Sequence, residues 1–524
     1  MSLVIGILLR VWQFTGGAAL FVDEIALARN IAERGFSDLL LPLDYGQVAP
    51  PAFLLVERAL WSMVHADWSL RLVPFACSIA SLFLFHAVAR RVLRGVAVVL
   101  ATVAFALGVP FVMYAAQVKP YSSDVAIALG LILLVLQILD DGHEARLPYI
   151  GLAGVVSVWF SQGAILVVAG LGAALAILVI RNRVTNGRRV LVIVVLPWAL
   201  GAVAAGLIAR QLVAPATMAY LKYFWADAFV PLPPWSLRDA TWPLRTLTAI
   251  FGRPGGLGYR FASAYALLAV YGVTTLWRAD RHAALVLMAP LAAVVVAGAA
   301  QLYPIDGRLV LFLTPVFILS AASGAAAVAE QVAARWPVAG TALLLLVTTP
   351  VLERIVRLHP VYHIQPADAL LEWLASQRRP GDIVYVWYRA VPNVEWYGPR
   401  LGITPDDIRG GCWITEPRRY LKELDRLRGH ARVWVVFAGV GMREVRMATD
   451  YANAIGVWKG GIISRSPVPL FPPMSVDLYD FSESPARAGV TADRFPITLA
   501  PPGKAASIAC AAGPVSPRGT HARS

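Results

Sequence analysis

The sequence predicts an α-helical polytopic membrane protein of about eleven transmembrane helices that carries an extracytoplasmic α/β domain at its C-terminus. Three observations lead there. Hydrophobic residues make up 58% of the 524 and charged residues only 15%, with a mean hydropathy of +0.64. A soluble chain carries nearer a quarter charged residues, roughly. The apolar residues gather in runs of about 18 to 22, enough helix to cross a hydrocarbon core about 30 Å thick. Past residue 352 the runs give way to amphipathic stretches that alternate with short strand-like segments.

The runs fall at 3–20, 70–89, 95–114, 124–140, 147–160, 163–181, 190–212, 262–278, 283–301, 308–328 and 338–352. The first lacks a small-x-small cleavage site and reads as a signal anchor. The fifth is short and reads either as a half-helix or as a partner of the sixth. Alternate connections are short and basic: Arg90, Arg91 and Arg94; Arg181, Arg183, Arg188 and Arg189; Arg278 and Arg281; Arg335. Such loops face the cytoplasm. The acids of Asp140–Arg146 weigh little in that rule. The longer connections 21–69, 115–123, 213–261 and 302–307 then face outward, and the odd count places the C-terminus outside. Many of the arginines behind the net charge of +14 sit in these short loops, which argues against a nucleic-acid partner.

Residues 1–352 therefore read as a transmembrane domain and 353–500 as a small α/β layer domain. Helices are expected at Pro366–Arg378, Pro417–Arg428 and Arg443–Ile455, and strands at Ile383–Trp387, Val433–Phe437 and Val476–Tyr479. Residues 501–524, rich in Pro, Ala, Gly and Ser, read as a disordered tail. The three cysteines are too few for a disulfide framework. Cys77 falls in an apolar run and reads as core packing. A Cys412–Cys510 bridge is open if that region is extracytoplasmic.

Three outer loops carry more charge than a membrane scaffold needs. The first opens with Asp23-Glu24 and continues to Pro42-Leu43-Asp44-Tyr45-Gly46-Gln47-Val48-Ala49-Pro50-Pro51. Its acids read either as a solvated helix N-terminus or as working carboxylates. The second packs Gln117, Lys119, Tyr121 and Asp124 between two apolar spans. The third runs from Gln301 through Tyr303 to Arg308 at the head of a span. Tyr and a snorkelling Lys or Arg also anchor membrane edges. Together, however, the loops present a carboxylate able to take a proton from a hydroxyl and two cations able to hold a phosphate. That set suits displacement of a lipid-linked phosphate by a hydroxyl. The aromatic loop 213–261 (Tyr220, Tyr223, Phe224, Trp225, Trp235, Trp242) reads first as a membrane-interface belt, and second as a sugar platform.

Asp23-Glu24 with Ala28-Arg29-Asn30-Ile31, the Pro42–Pro51 segment, Ser69-Leu70-Arg71-Leu72-Val73-Pro74 and Lys119-Pro120-Tyr121-Ser122-Ser123-Asp124 resemble the GT-C membrane glycosyltransferases. The nearest branch is similar to bacterial protein O-mannosyltransferases and lipid A aminoarabinose transferases. The resemblance covers residues 1–330 and is strongest before 130. It implies a hexosyl- or pentosyltransferase of the bacterial plasma (inner) membrane that uses a polyprenyl-phosphate sugar donor on the outer face, with inversion. It implies Asp23 as base with Glu24 beside it, Asp124 as a second acid, and Lys119 and Arg308 as phosphate ligands. Gln47, Tyr121 and Tyr303 complete the implied substrate-binding set. The implied acceptor is a lipid, glycan or protein. Gln117 departs from the family pattern, which has an acid two residues before the Lys. No cofactor is required by the resemblance, and a divalent metal is left open.

Two other functions fit parts of the chain. A secondary transporter would show a repeat between halves and ionisable residues near mid-membrane. Here no repeat is visible and the charges cluster at one face. A non-catalytic membrane protein with a partner-binding outer domain would explain 353–500 but not the three loops.

Overall fold

Helices form at all eleven expected positions in the computed structural model, which describes residues 1–140, 144–252, 259–357, 360–403, 408–413, 416–464, 473–482, 487 and 489–497. The tail 501–524 and Cys510, and with it the open question of a Cys412–Cys510 bridge, lie outside the described residues.

Among the described residues, seven helices are long and apolar enough to cross a membrane. Val96–Leu107 with Val109–Ala116 makes an eighth if that pair, bent by 46°, is one span. Three of the eleven runs fall short of the test. Ser2–Thr15 and Leu147–Phe160 are only 14 residues each. The first stops at Gly16-Gly17, where Gly17 has φ +64°, a left-handed turn that a run of apolar residues does not announce. Tyr259–Ala279 is long enough but mixes tyrosines and threonines with Arg260 and Arg278.

The helices pack closely where side chains are small. A Cβ on Gly272 would lie 1.7 Å from the Ser320 carbonyl oxygen, and one on Gly324 2.0 Å from that of Leu268. The helices Tyr259–Ala279 and Thr314–Ala333 thus meet backbone to backbone. The first helix is tied in through a buried cation. Arg10 donates to Gly6 O, Ala106 O and Ser78 Oγ, each at 2.9 Å.

The C-terminal region builds a five-stranded sheet from β1 (Ile383–Val386), β2 (Ile408–Arg409), β3 (Val433–Ala438), β4 (Val457–Ile463) and β5 (Met474–Asp480), in the order β2-β1-β3-β5-β4. β1 pairs parallel with β2 and β3; β5 pairs antiparallel with β3 and β4. Alternate side chains go to opposite faces. Val384, Val386, Trp434 and Val436 pack with Leu370, Leu371 and Leu374. Tyr385, Val433, Val435 and Phe437 pack on Tyr420, Leu424 and Tyr451 on the other face.

The first of these clusters does not stop at the C-terminal region. It also contains Leu20, Ile25, Ala28, Phe53 and Trp61 from the start of the chain. Polar ties reinforce the junction. Leu20 N donates to the Tyr397 hydroxyl at 2.6 Å, Trp396 Nε1 to Asp67 at 3.3 Å, and Arg29 pairs with Glu395. The helix that carries Asp23 is therefore clamped against the C-terminal sheet region.

Candidate active site

Asp23 sits in the first turn of the helix Val22–Glu33, where an acid complements the helix dipole. Lys119 sits at the turn between the bent pair and the helix Tyr121–Ile138. Arg308 heads the segment that leads into Thr314–Ala333. These three residues, far apart in sequence, meet at one end of the bundle. Lys119 Nζ lies 3.2 Å from Asp23 Oδ1, and Arg308 Nη2 lies 2.7 Å from Asp23 Oδ2.

Gln47 completes the knot. Its amide Nε2 donates to Asp23 Oδ1 at 3.3 Å, and its Oε1 accepts from Lys119 Nζ at 2.6 Å. The loop brings Gln47 there through Tyr45 and Gly46, both at positive φ, 60° and 63°. Asn30 holds the loop from the Asp23 helix: Asp44 N donates to Asn30 Oδ1 at 2.9 Å. Tyr121 places its ring 5.7 Å from the Arg308 guanidinium. Tyr303 donates its hydroxyl to Leu309 O at 2.7 Å and so steadies the backbone beside Arg308.

Burial alone would raise the Asp23 carboxyl. Arg308 and then Lys119 outweigh burial and hold it well below the usual carboxylate range. Lys119 is lowered by burial, assisted by Arg308, against the pull of Asp23. The cluster lines a cavity of about 1870 Å³ together with Gln162, Tyr220 and Arg354 from the membrane helices and their loops and Arg389 from the C-terminal region.

No protein-family model and no curated protein sequence matches the chain. Its fold does match solved structures. The apo oligosaccharyltransferase of Archaeoglobus fulgidus superposes with a TM-score of 0.50 at 12% identity, covering 93% of this chain and 75% of that one. ArnT of Cupriavidus metallidurans bound to undecaprenyl phosphate gives 0.44 at 13%, covering 91% and 96%. The Archaeoglobus fulgidus enzyme with Zn and sulfate gives 0.45 at 13%, covering 92% and 73%. The chain has the GT-C fold.

Within this GT-C chain the expected site residues separate into two groups. Asp23, Gln47, Lys119, Tyr121, Tyr303 and Arg308 line the cavity; Glu24 and Asp124 do not. Glu24 is turned about 100° around the helix from Asp23. It accepts from Val118 N at 2.8 Å and Phe21 N at 3.3 Å, so it fixes the Lys119 loop to the Asp23 helix. Its carboxyl is raised by burial, which Arg71 and the two amides only partly offset. Asp124 bonds the hydroxyl of Ser161, which in turn accepts from Ala164 N at 3.0 Å as the cap of the next helix.

The donor set around Asp23 is poorly suited to a divalent cation. Both carboxylate oxygens already face cations, and Gln117 contributes no charge. Among the described residues no group of three or more His, Cys, Asp or Glu stands ready to hold a metal ion. Gln162, Tyr220, Arg354 and Arg389 are among the cavity residues not assigned to the site from sequence. Tyr220 read as an interface-belt residue, and Arg389 belongs to no motif.

Proposed function

We propose that the chain is a membrane glycosyltransferase that moves a sugar from a polyprenyl-phosphate donor to an acceptor hydroxyl on the outer face of the bacterial plasma membrane, with inversion. One observation carries the reading: a single carboxylate, Asp23, ion-paired to both Lys119 and Arg308 in the wall of a large cavity at the ends of membrane helices.

The chemistry follows from that pairing. The acceptor oxygen attacks the anomeric carbon from the face opposite the phosphate. The bond from that carbon to the phosphate oxygen breaks, and its electron pair goes to the phosphate. The acceptor proton goes to Asp23. Charge builds on the phosphate as it leaves, and Lys119 and Arg308 stabilise it. A phosphate is a good leaving group, so the step needs no acid.

A carboxylate gripped by two cations is a weak base. Donor phosphate competes for those cations, and as they turn to it Asp23 is released to accept a proton. The site thus stays poorly basic until a donor is in place. The proposed orientation is supported by the arginines. Arg90, Arg91, Arg181, Arg183, Arg188 and Arg189 lie at helix ends opposite those that open on the cavity. The archaeal oligosaccharyltransferase whose fold this chain shares is itself a sugar transferase, which supports a transferase reading by analogy.

The test is transfer of labelled sugar from polyprenyl-phosphate donors in membranes containing the full chain. Wild type is expected to form product and Asp23→Asn to form none. Full transfer by Asp23→Asn would overturn the assignment of the base. Protein-dependent uptake of a solute without transfer would favour a transporter.

A further inference from the structure

The cavity has a second wall, built by the C-terminal sheet. β1 and β3 are neighbours and parallel, and from them the chain departs in opposite directions, to β2 on one side and towards β5 on the other. An open α/β sheet has a crevice at the C-terminal ends of its strands where the order reverses in this way. The residues at that point are Tyr388 and Arg389 after β1, and Gly439 and Met442 after β3. All four line the cavity that contains Asp23.

Arg389 is held in place there but not consumed. Its Nε donates to the Tyr388 hydroxyl at 2.8 Å, and its guanidinium lies 5.5 Å from the centre of the Tyr388 ring. Tyr388 in turn stacks on buried Tyr420 at 5.7 Å and 20°, beside buried Trp387. Gly439, at φ +89°, lets the β3 loop close on the arginine stem: a Cβ there would sit 3.4 Å from Arg389 Cδ and 2.9 Å from the Met442 sulfur. The nearest carboxylate, Glu444, is 3.5 Å from Nη2. Nη1 makes no hydrogen bond among the described residues, and the side chain remains 35% exposed. Tyr220 also lines the cavity, within reach of the charges of Asp23, Arg389 and Arg308.

One donor phosphate satisfies Lys119 and Arg308. Arg389 is a further cation on the wall built by the C-terminal sheet, on a rigid aromatic base, with one edge of its fork open. A planar guanidinium in that setting recognises a carboxylate or a phosphate by paired N–H donors. The geometry points to Arg389, seated on Tyr388, as the subsite for an oxyanion carried by the acceptor. That the anion belongs to the acceptor rests on the glycosyltransferase reading; that an anion binds here does not.

The experiment has two arms on the full-length, detergent-solubilised protein. In the first, sn-glycerol 3-phosphate and glucuronate are titrated separately, followed by tryptophan fluorescence, with undecaprenyl phosphate binding measured in parallel. One of the two small anions is expected to bind wild type and to bind Arg389→Ala at least tenfold more weakly, with Arg389→Lys between them. Which one binds identifies phosphate or carboxylate. Undecaprenyl phosphate binding is expected to stay within twofold in Arg389→Ala. Equal binding of both anions to wild type and Arg389→Ala, or no binding to wild type, overturns the subsite. A tenfold loss of undecaprenyl phosphate binding in Arg389→Ala assigns the residue to the donor and also overturns it. In the second arm, sugar transfer in membranes is expected to yield a product retained on an anion exchanger, with acceptor KM raised in Arg389→Ala more than kcat is lowered. A neutral product overturns the inference while leaving the transferase reading intact. Absence of any transfer by wild type overturns that reading, and the first arm still decides the anion site.

Discussion

The Leu20 amide donates to the Tyr397 hydroxyl at 2.6 Å, so the chain three residues before Asp23 hangs from the C-terminal region. Both residues are buried. Tyr397→Phe removes the acceptor and leaves a buried N–H unpaired, at a cost of about 1–3 kcal/mol. The expected result is a lower thermal midpoint in detergent and slower transfer, because the turn leading into the Asp23 helix loosens. An unchanged midpoint and rate would show that this tie does not position Asp23.

Release of Asp23 by the donor has a signature in pH–rate profiles. In the free protein Arg308 and Lys119 override burial and depress the carboxyl. On the proposed mechanism, the donor phosphate draws those cations away and the carboxyl moves up. The profile of kcat/KM reports the free protein and that of kcat the complex. The acid limb of kcat is therefore expected at higher pH than that of kcat/KM. Coincident limbs would count against the exchange of partners. The same depression stabilises the fold at pH above the unfolded carboxyl value of about 3.9, and that stability is lost as pH falls below it.

Asp23→Asn separates the two roles of the carboxylate. It removes the proposed base, so loss of transfer is expected. It also removes the competitor for Lys119 and Arg308, so undecaprenyl phosphate is expected to bind more tightly than to wild type. Arg308→Lys keeps a charge but loses the planar fork, and a fall in kcat of about 10²–10³ is expected. Weaker lipid-phosphate binding by Asp23→Asn would contradict the proposed competition.

Glu57 makes a separate prediction about stability. It is fully buried, and neither carboxyl oxygen has a hydrogen-bond partner among the described residues. Burial pushes its carboxyl well above the usual value. A raised group stabilises the fold below the unfolded value, about 4.3, and that contribution is lost as pH rises towards the folded one. Glu57→Gln is expected to raise the thermal midpoint at about pH 8 and to change it less at about pH 5. The reverse ordering, read by thermal melts at the two pH values, would refute the account.

The bundle was legible because a helix long enough to cross a bilayer must advertise its length as an apolar run. Lys119 and Arg308 stood out for the same reason, as charges set against apolar sequence. What the run could not convey was phase. Asp23 and Glu24 are neighbours, yet one faces the cations and the other the Val118 amide. Asp124 read as a second acid of the site; in the fold it lies off the cavity and bonds Ser161 at a helix cap. In the sheet, β1, β3 and β5 matched apolar runs, while β4 did not. It is a mostly exposed edge strand whose Lys459-Gly460-Gly461 interrupts the alternation. Arg389 was invisible because its role depends on two loops that only strand pairing brings together.

The seam at Gly272 and Gly324 bears on how high in the membrane the reaction takes place. Two backbones in contact, with no side chain between them, leave no slack for sliding. Arg308 stands just above the head of one of these helices, so its height is set by the partner helix and not by the surrounding lipid. In a thinner or thicker bilayer the lipid must deform around the pair. The proposed donor phosphate would then be met at the same level, whatever the length of the acyl chains.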